Sequence, residues 1–458
     1  MRQQRRVSNQ GRNKRVLLMA AALTLLTVSA LPGEDRSSSA TTKRVAAVKE
    51  RLAADYERME TLYKHLHSNP ELSLHEAATS ARLAQELKAI GFDVTQRVGG
   101  YGLVGVLKNG DGPTVMVRTD MDALPVIERT GLPYASKVRK RDKNENEVGV
   151  MHACGHDMHM TVWTGTARVL ASMKDRWKGT LLFIAQPAEE IGAGARMMLE
   201  AGLFKKFPRP DYAFALHCAA NLPHGSVAYT EGLAMANVDS VDIIVHGKGG
   251  HGAAPHTTID PVVLAARIVL DLQTLVSREI NPIDPAVVTV GSIHGGSKHN
   301  IIPNDVHMQL TVRSTKDSVR KHLLDGIRRI AEAAAKGAGA PLPEVKVNPA
   351  EFTPALHNDP ALTSKTVAVF KEVLGPDKVV SRPPMMGGED FSRYGRARVP
   401  ICLFWLGTID PKRVAEAEKD PARPLPSLHS DLFAPVPEPT IKTGVLAMSV
   451  AVLHVLGK

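Results

Sequence analysis

Residues 179–190 read GTLLFIAQPAEE: an unbroken apolar run from Leu181 to Ala185, then Gln186-Pro187-Ala188-Glu189-Glu190. A short apolar run bounded by glycine and proline predicts a strand buried on both faces, here ending in two adjacent carboxylates. The flanking sequence repeats the theme. LVGVLK (103–108), TVMVRTDMDAL (114–124) and DYAFALHC (211–218) also read as strands. Helical periodicity fills the intervals, from about Lys43 to Pro70, from His75 to Gly91, from about His159 to Lys174 and through GARMMLEAGLF. Alternating helices and apolar strands predict an α/β fold, a three-layer domain with a mostly parallel sheet. Chemistry in such sheets gathers at the C-terminal ends of the strands. Asp120/Asp122, Glu189/Glu190 and His217 stand at such ends.

Residues 237–351 follow another pattern. Strand 238–247, helix 260–278, strands 286–295 and 305–314, helix 316–337 and strand 344–348 give the order βαββαβ, a ferredoxin-like insertion. The first pattern resumes with helix 359–374, strand 399–406 and a last helix from about Pro437. The expected division is therefore a catalytic domain at 45–236 and 352–458, interrupted by a dimerisation domain at 237–351. The charged run RKRDKNENE (139–147) reads as a solvated loop.

The chain has 458 residues, 43% hydrophobic and 23% charged, which favours two folded domains over disorder. Its net charge of +10 is concentrated at the start: residues 1–15 carry six basic side chains and no acid. With aromatics at only 4%, this argues against a nucleic-acid surface on the folded part. The basic leader precedes VLLMAAALTLLTVSA (16–30), which is short for a bilayer span and suits a signal peptide over residues 1–30. An uncleaved anchor is the other reading. EDRSSSATT falls in an expected linker over 31–44, and the mature chain is expected to be periplasmic or extracellular, without a membrane segment. Three cysteines, Cys154, Cys218 and Cys402, make no disulfide framework.

Met151-His152-Ala153-Cys154-Gly155-His156-Asp157-Met158-His159 carries the densest set of metal-capable side chains. Gly155 lets Cys154 and His156 converge from one turn. Thiolate with imidazole suits zinc and, less selectively, manganese, cobalt or nickel. A Cys/His nucleophilic pair and a structural role are the alternatives from this segment alone. Beside a metal, one carboxylate of Glu189/Glu190 can ligate while the other takes a proton from acidified water. On a surface loop the same pair would mean nothing. His217 and His429 are weaker ligand candidates on their own.

In order along the chain, HSNPELSLHE (67–76), RTDMDALPVIE (118–128), GVMHACGHDMHM (149–160), QPAEE (186–190), ALH (215–217), GKGGHGAAPH (247–256), NIIPN (300–304), MGGEDFS (386–392) and SLHSDLF (427–433) resemble the zinc-type amidohydrolase and carboxypeptidase family of aminoacylase, carboxypeptidase G, hippurate hydrolase and the auxin-conjugate hydrolases. The hippurate hydrolase and N-acyl-amino-acid amidohydrolase branch is the most similar. The resemblance implies two divalent metal ions per subunit, held by Cys154, His156, Glu190, His217 and His429, with Cys154 bridging. It implies Glu189 as general base and acid, and Asp122 as the carboxylate that orients a ligand histidine. It also implies that His251 helps hold the oxyanion, with the partner subunit as one source, and that Asn300 and Arg313 bind the substrate carboxylate. One departure is Gly387-Gly388, where a serine is usual.

The expected protein is thus an exported dinuclear hydrolase of N-acyl amino acids or short peptides, working as a homodimer or higher oligomer. A cysteine-nucleophile hydrolase and a non-catalytic binding protein on the same fold are the rivals. Loss of activity on chelation separates the first; broken ligand positions would favour the second.

Overall fold

The computed structural model describes residues 34–141 and 145–457, so the expected signal peptide lies outside the described residues. In chain order the larger strands are β1 (Asp93–Gln96), β2 (Leu103–Asn109), β3 (Thr114–Asp120), β4 (Gly179–Gln186), β5 (Tyr212–Pro223) and β6 (Val227–Tyr229). Next come β7 (Asn237–His246), β8 (Ala286–His294), β9 (Asp305–Ser314) and β10 (Glu344–Val347), and finally β11 (Val379–Ser381) and β12 (Ile401–Ile409). The main helices are α1 (Glu34–Ser68), α2 (Ala77–Lys88), α3 (His156–Ser172), α4 (Pro261–Thr274), α5 (Asp317–Gly337), α6 (Pro360–Leu374) and α7 (Pro437–Leu456).

Eight strands form one sheet in the order β1-β2-β4-β3-β5-β12-β6-β11. Four of its seven pairings are parallel, including the central run β4-β3-β5-β12. β4 shows why both faces are covered. Leu181, Phe183 and Ala185 join one apolar core, and Leu182 and Ile184 join the other. Side chains alternate across a strand, so an all-apolar strand requires a layer on each side. The larger core takes residues from α2, α3, α6, α7 and the described side chains of α1. Parallel pairing brings the ends of β3 and β4, at Asp120 and Gln186, level with His217 in the middle of β5, which runs on to Pro223 beyond the expected end at 218.

The insertion forms its own four-stranded antiparallel sheet, β8-β9-β7-β10, with a third apolar core under α4 and α5. Numbered within the insertion this is the order 2-3-1-4, as βαββαβ chirality dictates. Strand β7 alternates buried and half-buried residues along its length, as expected for a sheet with one covered face.

Two expectations change. The stretch read as a linker over 31–44 is helical from Glu34. Serine and threonine lower helix propensity only modestly, so a run of them does not by itself exclude a helix. The charged run at 139–147 is not a plain loop, because Arg139–Arg141 pairs with Glu147–Gly149 as an exposed hairpin. The last helix, α7, is apolar over a membrane-spanning length, yet most of it is buried, packed on α3 and α6.

Close approach explains one glycine here. A Cβ on Gly165 of α3 would collide with Met59 Sδ of α1 and lie 2.7 Å from Val445 Cγ2 of α7. Replacing Gly165 with valine should cost about 1–3 kcal/mol through overpacking, read as a lower urea midpoint with an unchanged slope. An unchanged midpoint would show that these helices do not pack this closely.

Candidate metal centre and substrate cavity

Four segments converge at the sheet edge. The first is the turn before α3. Gly155 precedes the helix at φ 85°, and a Cβ there would lie 3.0 Å from Cys218 Sγ. Only glycine meets both demands, and this tight turn points Cys154 and His156 the same way. The second is the loop after β4. Ala188 is left-handed at φ 51°, and its N–H donates to Glu76 Oε1 at 2.8 Å. The N–H groups of Glu189 and Glu190 donate to the two oxygens of Asp122 at 3.1 and 3.0 Å. The third is β5, carrying His217. The fourth is the loop of His429, at φ 66°, whose N–H donates to Ala153 O at 2.9 Å.

All three histidines present Nε2. His156 Nδ1 donates to Asp122 O at 2.7 Å, and His217 Nδ1 donates to Cys218 O at 2.8 Å. A carbonyl can only accept, so both rings carry a proton on Nδ1, which leaves Nε2 as the ring atom that can face a cation. His217 Nε2 lies 3.5 Å from Cys154 Sγ, and His429 Nε2 lies 3.2 Å from it. His156 Nε2 is 3.7 Å from Glu190 Oε1, and His429 Nε2 is 3.6 Å from Glu190 Oε2.

The donor atoms of Cys154, His156 and His217 all lie within 4.8 Å of one another, as do those of Cys154, Glu190 and His429. Cys154 belongs to both triads. Buried His156 Nε2 and Glu190 Oε1 have no hydrogen-bond partner in the protein. Orphaned buried polar atoms are costly, and two of them facing thiol and imidazole donors fit a cation. The grouping of His159 with Asp120 is already spent. His159 Nδ1 donates to Asp120 at 2.7 Å, and its Nε2 accepts from Cys218 N at 2.8 Å. Burial lowers the His159 pKa to about 4.

Behind the donors lies an ionic hub that the sequence reading missed. Buried Arg118 binds Asp120 at 2.7 Å, Glu389 at 2.8 Å and Asp390 at 3.0 Å. Its signal was a single arginine in the apolar strand TVMVRTD. Glu189 approaches Glu389 and Asp390 on one side and His156 on the other. Burial first, then the neighbouring Glu389 and Glu190, push the Glu189 carboxyl well above the usual range. Burial likewise raises Glu190 and Asp390 to about 7.

The donors open on a cavity of about 570 Å³. Met235, Met385, Trp405 and Leu428 give it an apolar wall, none of them foreseen from the sequence. Arg313 of β9 reaches it from the insertion, its Nη1 donating to Met386 O at 2.9 Å. Gly387 and Gly388 also line it; a Cβ on Gly388 would lie 2.6 Å from Val238 Cγ2. Their Cα atoms stand where a serine was expected.

The expected residues Cys154, His156, Glu189, Glu190, His217, His429 and Arg313 are therefore brought together. Asp122 is beside them. Its carbonyl oxygen takes the shorter bond to His156, with its carboxyl oxygen 3.5 Å away, and its carboxylate mainly holds the Glu189–Glu190 backbone. His251 and Asn300 do not line this cavity. His251 is exposed on a ribbon where Gly250–His251 pairs with Ile301–Ile302, and Gly252 N donates to Asn300 O.

Peptidase family M20/M25/M40 matches residues 116–426, the span that holds every donor but His429. The chain belongs to this family. It is 38% identical to thermostable carboxypeptidase 2 of Saccharolobus solfataricus, across 84% of this chain and 92% of that protein. It is also 38% identical to the hippurate hydrolase of Campylobacter jejuni, across 73% and 84%. The YXEP protein of Bacillus subtilis, a dinuclear metal binding peptidase from the M20 family, superposes with a TM-score of 0.69 at 31% identity, covering 88% of this chain and all of that one. The M20 chain is thus a metal-dependent amidohydrolase or peptidase that uses divalent metal.

An acid whose pKa is raised by folding holds a proton that the unfolded chain releases, so stability falls as pH rises from its ordinary range to the raised value. For Glu190 and Asp390 that window runs from the ordinary 4.5 and 3.8 to about 7. Chelator-treated protein should lose urea resistance across this window. Excess divalent metal should suppress the loss, because a cation at Glu190 favours its charged form. A midpoint that rises over the same range in treated protein would contradict the burial of these carboxylates.

Proposed function

We propose that this chain hydrolyses the amide bond of an N-acyl amino acid or short peptide bearing a free carboxylate, at a dinuclear centre. The observation that carries the reading is the pair of donor triads sharing Cys154, with Glu189 beside them and Arg313 across the cavity. Cys154, His156, Glu190, His217 and His429 would hold two divalent cations, with Cys154 between them. When bound, these supply acidification of water and polarisation of the amide carbonyl.

The protein groups divide the remaining work. Arg313 uses the free part of its fork for the substrate carboxylate. The apolar wall of Met235, Met385, Trp405 and Leu428 receives an apolar acyl group or side chain. Glu189 takes a proton from the attacking water at its carboxylate as the oxygen joins the carbonyl carbon. It then delivers that proton to the leaving nitrogen as the C–N bond breaks. Its raised pKa suits the second half of that duty, and bound cations would favour the carboxylate form that the first half needs. Asp122 and Asp120 keep the neighbouring backbone and rings in place without touching substrate.

Replacing Glu189 with glutamine should preserve bound metal, measured by elemental analysis, and cut kcat by about 10²–10⁴-fold. Unchanged turnover would refute the base assignment. Survival of activity after exhaustive chelation would instead favour a Cys154 nucleophile. Against that reading, burial and the adjacent Glu190 push the Cys154 thiol well above its ordinary pKa, the opposite of an activated cysteine.

Homodimerisation through the insertion belongs to the same proposal. β8 is an edge strand, and Val263, Leu270 and Ile293 are exposed, Leu270 at 70%. An open edge with apolar neighbours favours pairing with a second copy. The exposed ribbon would then offer the partner subunit's His251 to the oxyanion. Leu270→Glu should shift the protein toward monomer in light scattering and lower kcat without releasing metal. A monomeric parent protein with full activity would remove this part of the reading. The basic leader and short apolar run likewise support export.

A further inference from the structure

The stretch HSNPELSLHE (67–76) supplies no metal donor and no wall of the donor-lined cavity among the described residues. Its polar side chains instead reach the segments that do. His67 Nδ1 is 2.6 Å from Asp157 Oδ2, beside the ligand turn, and Ser73 Oγ donates to Asp122 at 2.6 Å. Glu76 closes the stretch. It is buried at the start of α2, and its Oε1 accepts from Leu74 N at 2.9 Å and from Ala188 N at 2.8 Å. Its Oε2 has no hydrogen-bond partner among the described residues.

Both residues that donate to Glu76 are left-handed, Leu74 at φ 67° and Ala188 at φ 51°. Leu74 lies in a tight turn, closed by His75 N donating to Leu72 O at 2.9 Å, and the turn accounts for its backbone. No such turn accounts for Ala188. It opens the turn that Gly192, at φ 63°, closes: Ala193 N donates to Ala188 O and Gly192 N donates to Glu189 O. The left-handed stop of that turn is therefore the glycine. An alanine held left-handed carries a conformational cost, which its surroundings must sustain.

Those surroundings are two buried acids. The successive N–H groups of Ala188, Glu189 and Glu190 are accepted by Glu76, Asp122 and Asp122 in turn. Asp122 fixes the two residues that carry the working carboxylates. Glu76 fixes the residue before them, where the chain leaves β4. The side chains that follow face His156 Nε2, with Glu189 Oε2 at 3.9 Å and Glu190 Oε1 at 3.7 Å.

We propose that Glu76 is a positioning residue: by holding Ala188 left-handed, it aims Glu189 as the base and Glu190 as a metal donor. This rests on the reaction and the donor roles assigned above. Glu76 acts through the backbone and not on substrate, and what it supplies is an acceptor at one oxygen. Burial, then the charge of Asp122, raise its carboxyl to about 7. An uncharged amide of the same shape can therefore stand in for it.

Three variants of the full chain test the role. Glu76→Gln keeps the acceptor, and Glu76→Met fills the same space without one. Glu76→Met combined with Ala188→Gly lets the backbone turn left-handed without strain. Zinc is titrated into chelator-treated protein against a competing chelator, and kcat and KM are measured on benzoylglycine with metal-loaded protein. Glu76→Met should weaken zinc binding and lower kcat, each about tenfold. KM should hold, because Arg313 and the apolar wall do not move. Glu76→Gln should stay close to the parent in all three. Adding Ala188→Gly to Glu76→Met should recover about half of the lost affinity and kcat. A merely structural role would lower the melting temperature without that recovery.

Parent-like zinc affinity and kcat in Glu76→Met would overturn the proposal. So would a Glu76→Gln protein as impaired as Glu76→Met, or no recovery with Ala188→Gly. Hydrogen exchange at the Ala188 amide tests the bond without any loss of folding. Slow exchange is expected in the parent and in Glu76→Gln, and exchange at the rate of an exposed amide would overturn the proposal. Absence of turnover in the parent would count against the reaction assigned above, while the zinc titration would still decide the role of Glu76.

Discussion

The carboxyl group of Asp122 ties three segments together at the sheet edge. It accepts from Ser73 Oγ at 2.6 Å and from the N–H groups of Glu189 and Glu190, while the carbonyl of the same residue takes the His156 ring. Against the opposing effect of burial, the His156 ring first, then the Ser73 hydroxyl and the Glu190 N–H, hold the Asp122 carboxyl below the usual range. It therefore stays an anion and an acceptor. Remove that anion and the loop after β4 loses the anchors of the Glu189 and Glu190 N–H groups, and with them the aim of Glu190. A buried acceptor that is fully satisfied rigidifies its surroundings more than a surface contact can.

The second constraint is charge. Asp120, Glu189, Glu190, Glu389 and Asp390 crowd one edge of the sheet, and Arg118 is the fixed buried cation among them. A single guanidinium cannot neutralise so many acids. The protein keeps some of them protonated or leaves them to be balanced by bound cations. This arrangement is poor for the stability of the bare fold and good for a site that holds metal. The division of labour is spatial: acids tied to Arg118 sit behind, and those left free face the cavity.

Much of this was legible in the residues. Apolar strands such as Leu181–Ala185 must be buried on both sides, and the βαββαβ periodicity of 237–351 describes a self-contained sheet. Glycine between Cys154 and His156 announces a tight turn, and its φ and packing explain why. What could not be read depends on long-range pairing. Strands β6 and β11 are three residues each and pair with partners far along the chain, so no local pattern marks them. Met235, Met385 and Trp405 share a wall only because β12 pairs with β5 and the insertion folds back. His251 and Asn300 are expected at the substrate; within one subunit they stand on an exposed ribbon outside the cavity lining, and the expectation for His251 already names the partner subunit as a source.

The contact between Cys154 and His429 spans 275 residues of chain. Between them the whole insertion must be made. During synthesis the first four donors emerge well before the fifth, and the loop that carries His429 docks on Ala153 only when the chain is almost finished. Cation capture by the complete set is therefore a late event in the life of each molecule, and a chain cut short before residue 429 would lack both the fifth donor and α7, which fills much of the larger core.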